Sequence, residues 1–332
     1  MKEQRTIGLG YTLVDAKIIT SENSLKSLPV EPIGIVSFID RHPEAILVAG
    51  GSTPNVMAAY VGFAPERPVM LLAAVGEDKK GAFYRQALDS RLGELQQSKT
   101  EPTGVVAILL DEGGQLLDSK SFYGAATTVQ VPEYAVDDED IGLFVTNSVV
   151  FRHSQVISAV KKVTDILKRT NGIFALNLTG TAPNKLAREA LLSGLTSLDI
   201  MPDIVVGNEN EALYITAENN VRDALSSFFP ESRLAIITQD ERGSLLRFEN
   251  TIITIPAFTC PDVVDPTGAG DCYMGILLGC LSEMQHDKWT DTDIRRAANT
   301  ASYGASLVVG KLTSRLDPQD FYKVTAFHAD SL

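Results

Sequence analysis

Short apolar runs alternate with amphipathic segments over most of this 332-residue chain, and that alternation narrows the folds open to it more than any other feature. Thr6–Leu9, Val69–Val75, Leu143–Phe151, Ile173–Leu178, Ile204–Val206 and Leu234–Thr238 have the length and apolar content of buried strands. Asn55–Phe63, Gly81–Leu92, Gln155–Arg169, Lys185–Leu192, Glu209–Thr216 and Val221–Phe229 read as helices between them, followed by Asp271–Met284 and Asp293–Val309. Strands that alternate with helices predict an α/β fold with a mainly parallel sheet covered on both faces. Ligands of such sheets bind beyond the carboxyl ends of the strands. Two regions break the rhythm. Ile33–Leu47 and Thr103–Thr128 read as β-rich, the second with a hairpin-like turn at Asp111–Gly114. They predict a small accessory sheet, inserted from about 12–48 and 103–128 into a single domain spanning 1–332.

Asp265-Pro-Thr-Gly-Ala-Gly-Asp271 carries the densest chemistry. A β-rich run, Thr251–Phe258, precedes it. Apolar residues at Tyr273, Ile276, Leu277, Cys280, Leu281 and Met284 follow at the spacing of a buried helical face. The start of such a helix has unpaired N–H groups and the positive end of the helix dipole, so it attracts an anion such as a phosphate. A carboxylate there can serve as a general base, and a base beside an anion-stabilising nest suits phosphoryl transfer to an alcohol. An ordinary N-cap Asp after a Gly-rich turn is the competing reading.

The net charge of −13 disfavours broad nucleic-acid binding, which needs a basic surface. No apolar run approaches the ~18 residues of a membrane span, and the N-terminus lacks a signal-peptide pattern, so a cytoplasmic location is expected. Three cysteines without metal-ligand spacing read as small, buried, reduced residues. Neither a Walker-type phosphate loop nor a Gly-x-Ser-x-Gly elbow occurs.

The Asp265–Asp271 segment resembles the second signature of the ribokinase-like (PfkB) family of carbohydrate and nucleoside kinases, whose core reads Asp-Thr-x-Gly-Ala-Gly-Asp. Pro266 departs from it, while Gly268–Asp271 is intact. The resemblance implies an anion hole at Gly268, Ala269 and Gly270, with Asp271 as catalytic base. Asp265 would help hold a monovalent cation, K⁺, behind that hole. Gly10-Tyr-Thr-Leu-Val-Asp15 looks like the family segment whose Asp grips acceptor hydroxyls, a task suited to a carboxylate that accepts two hydrogen bonds. Gly50-Gly51-Ser-Thr-Pro-Asn55 resembles the family's di-glycine and sugar-binding Asn. Gly76-x-Asp78-x-x-Gly81 resembles an element read here as structural.

In the second half, Asn208-x-x-Glu211 resembles the motif tied to Mg²⁺ and phosphate through water, and equally suits a helix cap. Thr238 to Gly243 resembles the loop at the nucleotide phosphates and ribose, with Gln239-Asp240 in place of the usual Leu-Gly. Asn299 and Gly304 match the helix lining the adenine pocket.

The resemblance therefore implies ATP-dependent phosphorylation of a primary hydroxyl, with a β-sheet lid that excludes water from the acceptor site. Gly50-Gly-Ser-Thr, Phe174–Thr179 and Val205–Ala212 have features of the adenosine kinase branch, and a nucleoside and a free sugar are held equal as acceptor. Phe38, Phe122 or Tyr123 would clamp a base, unless they form the lid's own core. Lid edges that pair between subunits would make a homodimer. A non-catalytic sugar or nucleoside sensor on the same fold is the alternative function.

Overall fold

The computed structural model describes residues 4–20, 28–29, 31–112, 116–136, 141–284 and 286–330. Among these, eight strands form one sheet in the spatial order Thr251–Ile255, Ser244–Phe248, Leu234–Thr238, Ile204–Asn208, Ile173–Asn177, Ile141–Asn147, Arg5–Leu9, Val69–Leu72. Six are parallel, and the first two add an antiparallel hairpin at one edge. Leu234 and Ile236 face one apolar core while Ala235 and Ile237 face the other. Both sheet faces are therefore buried, which explains why the strands read as continuous apolar runs rather than as alternation. Helices Ser52–Phe63, Ala269–Leu281 and Asp291–Val308 supply the first core. Helix Ser154–Thr170 and helix Lys185–Leu198 cover the second.

The accessory sheet has the order Ile46–Gly50, Leu13–Ile19, Gly104–Leu110, Leu116–Phe122. Leu13–Ile19 is its organising strand. Val14, Ala16 and Ile18 pack into a core shared with Ile35, Phe38 and Ile39 of helix Pro32–Asp40. Asp15 and Lys17 therefore project from the opposite face, since strand side chains alternate.

Several sequence expectations change. Ile33–Leu47 is not continuous β structure: Pro32–Asp40 is a helix and only Ile46–Gly50 is a strand. Pro32 sits in the first helical turn, where its missing N–H costs nothing, and Ile35, Phe38 and Ile39 bury one helical stripe despite the β-branched composition. Val69–Val75 divides at Ala73, since Ala74–Gly76 pairs instead with Gln96–Ser98. Leu143–Phe151 ends as a strand at Asn147, whose side chain accepts the Val149 N–H (3.0 Å) and starts a 3₁₀ turn. Thr103–Thr128 likewise closes in a 3₁₀ turn, Gly124–Thr128. Its two strands pair antiparallel as expected of a hairpin, while Gly113 and Gly114 of the turn lie outside the described residues. A last helix, Pro318–Asp330, falls beyond the sequence reading; Asp317 starts it by accepting from the N–H groups of Gln319 and Asp320.

Asp78 behaves as the structural residue expected of it. It accepts from Gly81 N–H (2.7 Å), Thr103 N–H (2.7 Å) and Thr103 Oγ1 (2.6 Å), and these bonds outweigh its burial to hold its carboxyl below the usual range.

Candidate active site

Asp271 lies in the first turn of helix Ala269–Leu281, and three side chains converge on it. Ser52 Oγ (2.8 Å) and Asn177 Nδ2 (2.8 Å) donate to Oδ1, and Asn55 Nδ2 (3.2 Å) donates to Oδ2. Asn177 Nδ2 also reaches Ser52 Oγ (2.9 Å). Asn177 ends its strand in register with Asn147, and Ser52 and Asn55 open the helix after Gly51. Asn147 Nδ2 fixes that helix start through Thr53 Oγ1 (2.9 Å). Burial pushes the Asp271 carboxyl up to about 6, against the three hydrogen bonds and the Arg315 charge, which favour the ionised form.

The glycine turn before Asp271 is held from behind. Gly268 adopts φ 86°, a left-handed conformation, and its α-carbon backs directly onto Ser314. Ala269 N–H is taken by Pro266 O (3.2 Å). The Gly270 and Asp271 N–H groups stand in the first turn, where a helix offers no internal acceptor. The space beside Gly270 is open.

Asp15 reaches the same cleft from the accessory sheet. A Cβ on Gly50 would overlap its carboxylate, so Gly50 is the floor on which Asp15 rests. Burial raises the Asp15 carboxyl to about 7, with the Asp271 and Asp265 charges adding and Lys17 and Arg315 opposing. Gly51 has φ 101° and presses on Tyr11 O, a position no side chain fits.

Arg315 was invisible to motif reading. Its Nε donates to Asn55 Oδ1 (3.0 Å) and its Nη2 to Tyr84 OH (3.3 Å), while Tyr84 OH donates to Gly50 O (2.6 Å). By occupying the Asn55 carbonyl, Arg315 fixes the amide so that its NH₂ faces Asp271. A cavity of about 930 Å³ is lined by Asn55, Arg315, Ser314 and Cys272.

Asp265 offers no free carboxylate. Lys17 Nζ holds Oδ2 and Thr267 N–H holds Oδ1 (2.9 Å). Burial would raise the Asp265 carboxyl, but these bonds prevail and keep it below the usual range. The Lys17 ammonium thus sits against the carboxylate expected to help hold K⁺.

Asn208, Glu211, Thr238 and Gly243 form a second group at neighbouring strand ends. Asn208 pairs in register with Thr238, and Asn208 and Glu211 form a reciprocal capping box. Glu211 is buried, and its carboxyl is raised by that burial despite backbone N–H bonds from Asn208, Thr181 and Gly180; the Asp271 charge adds to the rise. Exposed Asn208 and buried Glu211 suit a hydrated Mg²⁺ held through its water, and no cluster of three or more metal-ligating side chains occurs among the described residues. Gly243 lies against the backbone of Ile255–Ala257. Asn299 is half-buried on helix Asp291–Val308. Gly304 faces Ile276 of the Asp271 helix and serves close helix packing there. Of the clamp candidates, Phe38 lies in the lid's core and Phe122 packs against it, while Tyr123 meets Tyr11 and His153, ring centroids 5.2 Å from each.

The model of the pfkB family carbohydrate kinases matches residues 39–320. The chain belongs to this family. An adenosine kinase of Schizosaccharomyces pombe is 23% identical over 273 residues, covering 74% of this chain and 77% of that protein. Among solved structures, an adenosine kinase from Sinorhizobium meliloti aligns with TM-score 0.79 and 18% identity over 99% of this chain and 100% of the other. A putative ribokinase II from E. coli in complex with ATP and Mg²⁺ aligns with TM-score 0.73 and 17% identity over 98% and 99%. The fold of this pfkB-family chain is thus ribokinase-like, and its class is that of the sugar and nucleoside kinases. No described helix is long and apolar enough to cross a membrane.

Proposed function

We propose that the chain transfers the γ-phosphoryl group of ATP to a primary hydroxyl of a sugar or nucleoside. The observation that carries this is Asp271, a carboxylate oriented by Ser52, Asn55 and Asn177 and set in the same helical turn as the open Gly270 N–H. Oδ2 takes one of the three hydrogen bonds and Oδ1 two, so Oδ2 has the freer lone pair for the acceptor proton. As that proton leaves, the hydroxyl oxygen bonds to the γ-phosphorus. The bond to the β,γ-bridging oxygen breaks, and ADP departs with its electron pair. The N–H groups of Gly268 and Gly270, with that of Asp271, stabilise charge on the phosphoryl oxygens, and Ala269 shapes the turn.

In this reading Asp15, Gly50, Gly51 and Asn55 seat the acceptor hydroxyls. Thr238 and Gly243 line the phosphate and ribose end of the nucleotide, and Asn299 its base end, with Gly304 fixing the packing of that helix. Asn208 and Glu211 would hold Mg²⁺ through water, and the ion, when bound, would neutralise phosphate charge. The accessory sheet acts as a lid over the acceptor, within a single domain.

An ADP-release assay with Mg²⁺-ATP, run against nucleosides and free sugars, tests this. Release with an acceptor is expected and names the branch. Silence across the panel with ATP still bound points to an acceptor outside the panel or to the sensor. The acid limb of kcat/KM is a second check. Asp271 is raised to about 6 and Asp15 to about 7, so activity should fall as the pH drops through that interval. The limb should be steeper than a single titration, because two interacting carboxylates must both ionise. Gly50→Ala puts a methyl group into the Asp15 carboxylate. It should raise the acceptor KM by about tenfold or more and leave the ATP KM unchanged.

A further inference from the structure

We infer that the Lys17 ammonium is a built-in monovalent cation behind the anion hole, so that this chain needs no dissociable one. The inference deepens the phosphotransfer reading and rests on it. Lys17 is only 8% exposed, on the cleft-facing side of strand Leu13–Ile19. A lysine so buried needs compensating oxygens. It has two: Asp265 Oδ2 and Leu312 O (3.2 Å).

Those oxygens belong to the two loops that set the glycine turn. Asp265 lies three residues before Gly268, and its N–H is anchored on Val309 O (3.1 Å). Leu312 lies two residues before Ser314, the residue against which Gly268 is packed. The ammonium therefore joins the front and back of the turn and adds a fixed positive charge beneath the site where phosphoryl charge builds. Tethered through its own side chain, it loses no binding entropy and cannot wash out. Ser314 Oγ is buried without a hydrogen-bond partner in the same loop. Removing the ammonium would leave the Asp265 carboxylate and the Leu312 carbonyl, oxygens suited to an alkali ion.

The test compares wild type, Lys17→Met and Lys17→Arg in KCl and in choline chloride at equal ionic strength. It reads both the thermal midpoint without substrates and turnover. Wild type and Lys17→Arg should give the same midpoint in both salts. Lys17→Met should melt lower in choline and regain a few degrees in KCl, because an ion that binds only the folded state stabilises it. Its turnover should fall by on the order of tenfold in choline and recover in KCl. A K⁺-specific gain in the wild-type midpoint or turnover would overturn the inference, and that arm needs no variant. So would a Lys17→Met protein indifferent to losing the charge, or one impaired and not rescued by K⁺. Wild type silent with every acceptor would instead bear on the kinase reading, while the midpoints still report on the cation.

Discussion

Asp271→Asn should lower turnover by on the order of 10³-fold while the protein still folds and binds ATP. The amide cannot take the acceptor proton, yet it has the volume of the carboxylate. The same variant has a second signature in stability. The Asp271 carboxyl is raised to about 6 by burial, above its ordinary value of 3.8. The folded state therefore favours the protonated form. That contribution is full below pH about 4 and is lost as the pH rises through about 6. A tenfold change in proton affinity corresponds to about 1.4 kcal/mol, so the ionised wild type carries a burden on the order of 2–3 kcal/mol at neutral pH that the amide does not. Against this, the Asn177, Ser52 and Asn55 donors would meet a single carbonyl oxygen, and one left unpaired costs about 1–3 kcal/mol. The two effects are similar in size, so the difference in Tm at one pH is small. Its pH dependence is not: the variant should gain on wild type by a few degrees between pH 5 and pH 8. Melting both proteins across that range checks this, and near-normal turnover would end the role of Asp271 as base.

Asp271 was legible in the sequence because its signal is local. A strand, a glycine turn, a carboxylate and an apolar helix follow one another within about thirty residues. The large sheet was legible for the same reason, since each doubly buried strand writes its own apolar run. What grips Asp271 was not legible. Asn177 and Asn55 lie 94 and 216 residues away along the chain, and Arg315 lies 260 residues from Asn55. Their side chains meet because strand ends and helix starts gather at one rim, a fact of topology that no single segment records. Asn177 had a faint signal, an amide closing the apolar run Ile173–Leu176. Arg315 and Lys17 had none. The Ile33–Leu47 region failed differently: its β-branched residues suit a strand, and only packing of Ile35, Phe38 and Ile39 under the lid sheet decides for a helix.

Gly268→Ala and Gly270→Ala should separate the framework of the anion hole from its working face. At Gly268 the left-handed backbone itself disfavours alanine by about 1–2 kcal/mol. A new Cβ would also lie 2.5 Å from Ser314 Cβ, 2.7 Å from Ser314 O and 2.8 Å from Ser314 Cα. Two of those atoms are backbone, so no rotamer change relieves the contact, and the turn must move away from the loop behind it. Displacement by a fraction of an ångström carries the Gly270 and Asp271 N–H groups with it, and charge stabilisation of this kind depends on preorganised donors. Gly268→Ala should therefore lower Tm by several degrees and turnover by on the order of 10²-fold together. Gly270 differs in both respects. It sits inside the helix, and nothing lies within 4 Å of its added Cβ. Alanine is the better helix former there by about 1 kcal/mol, so Tm should hold or rise. The methyl group would nevertheless stand in the open space where the phosphoryl oxygens are proposed to bind, and turnover should fall without any loss of stability. A Gly270→Ala protein with full turnover would place phosphoryl transfer away from this face of the turn, whatever Gly268→Ala does.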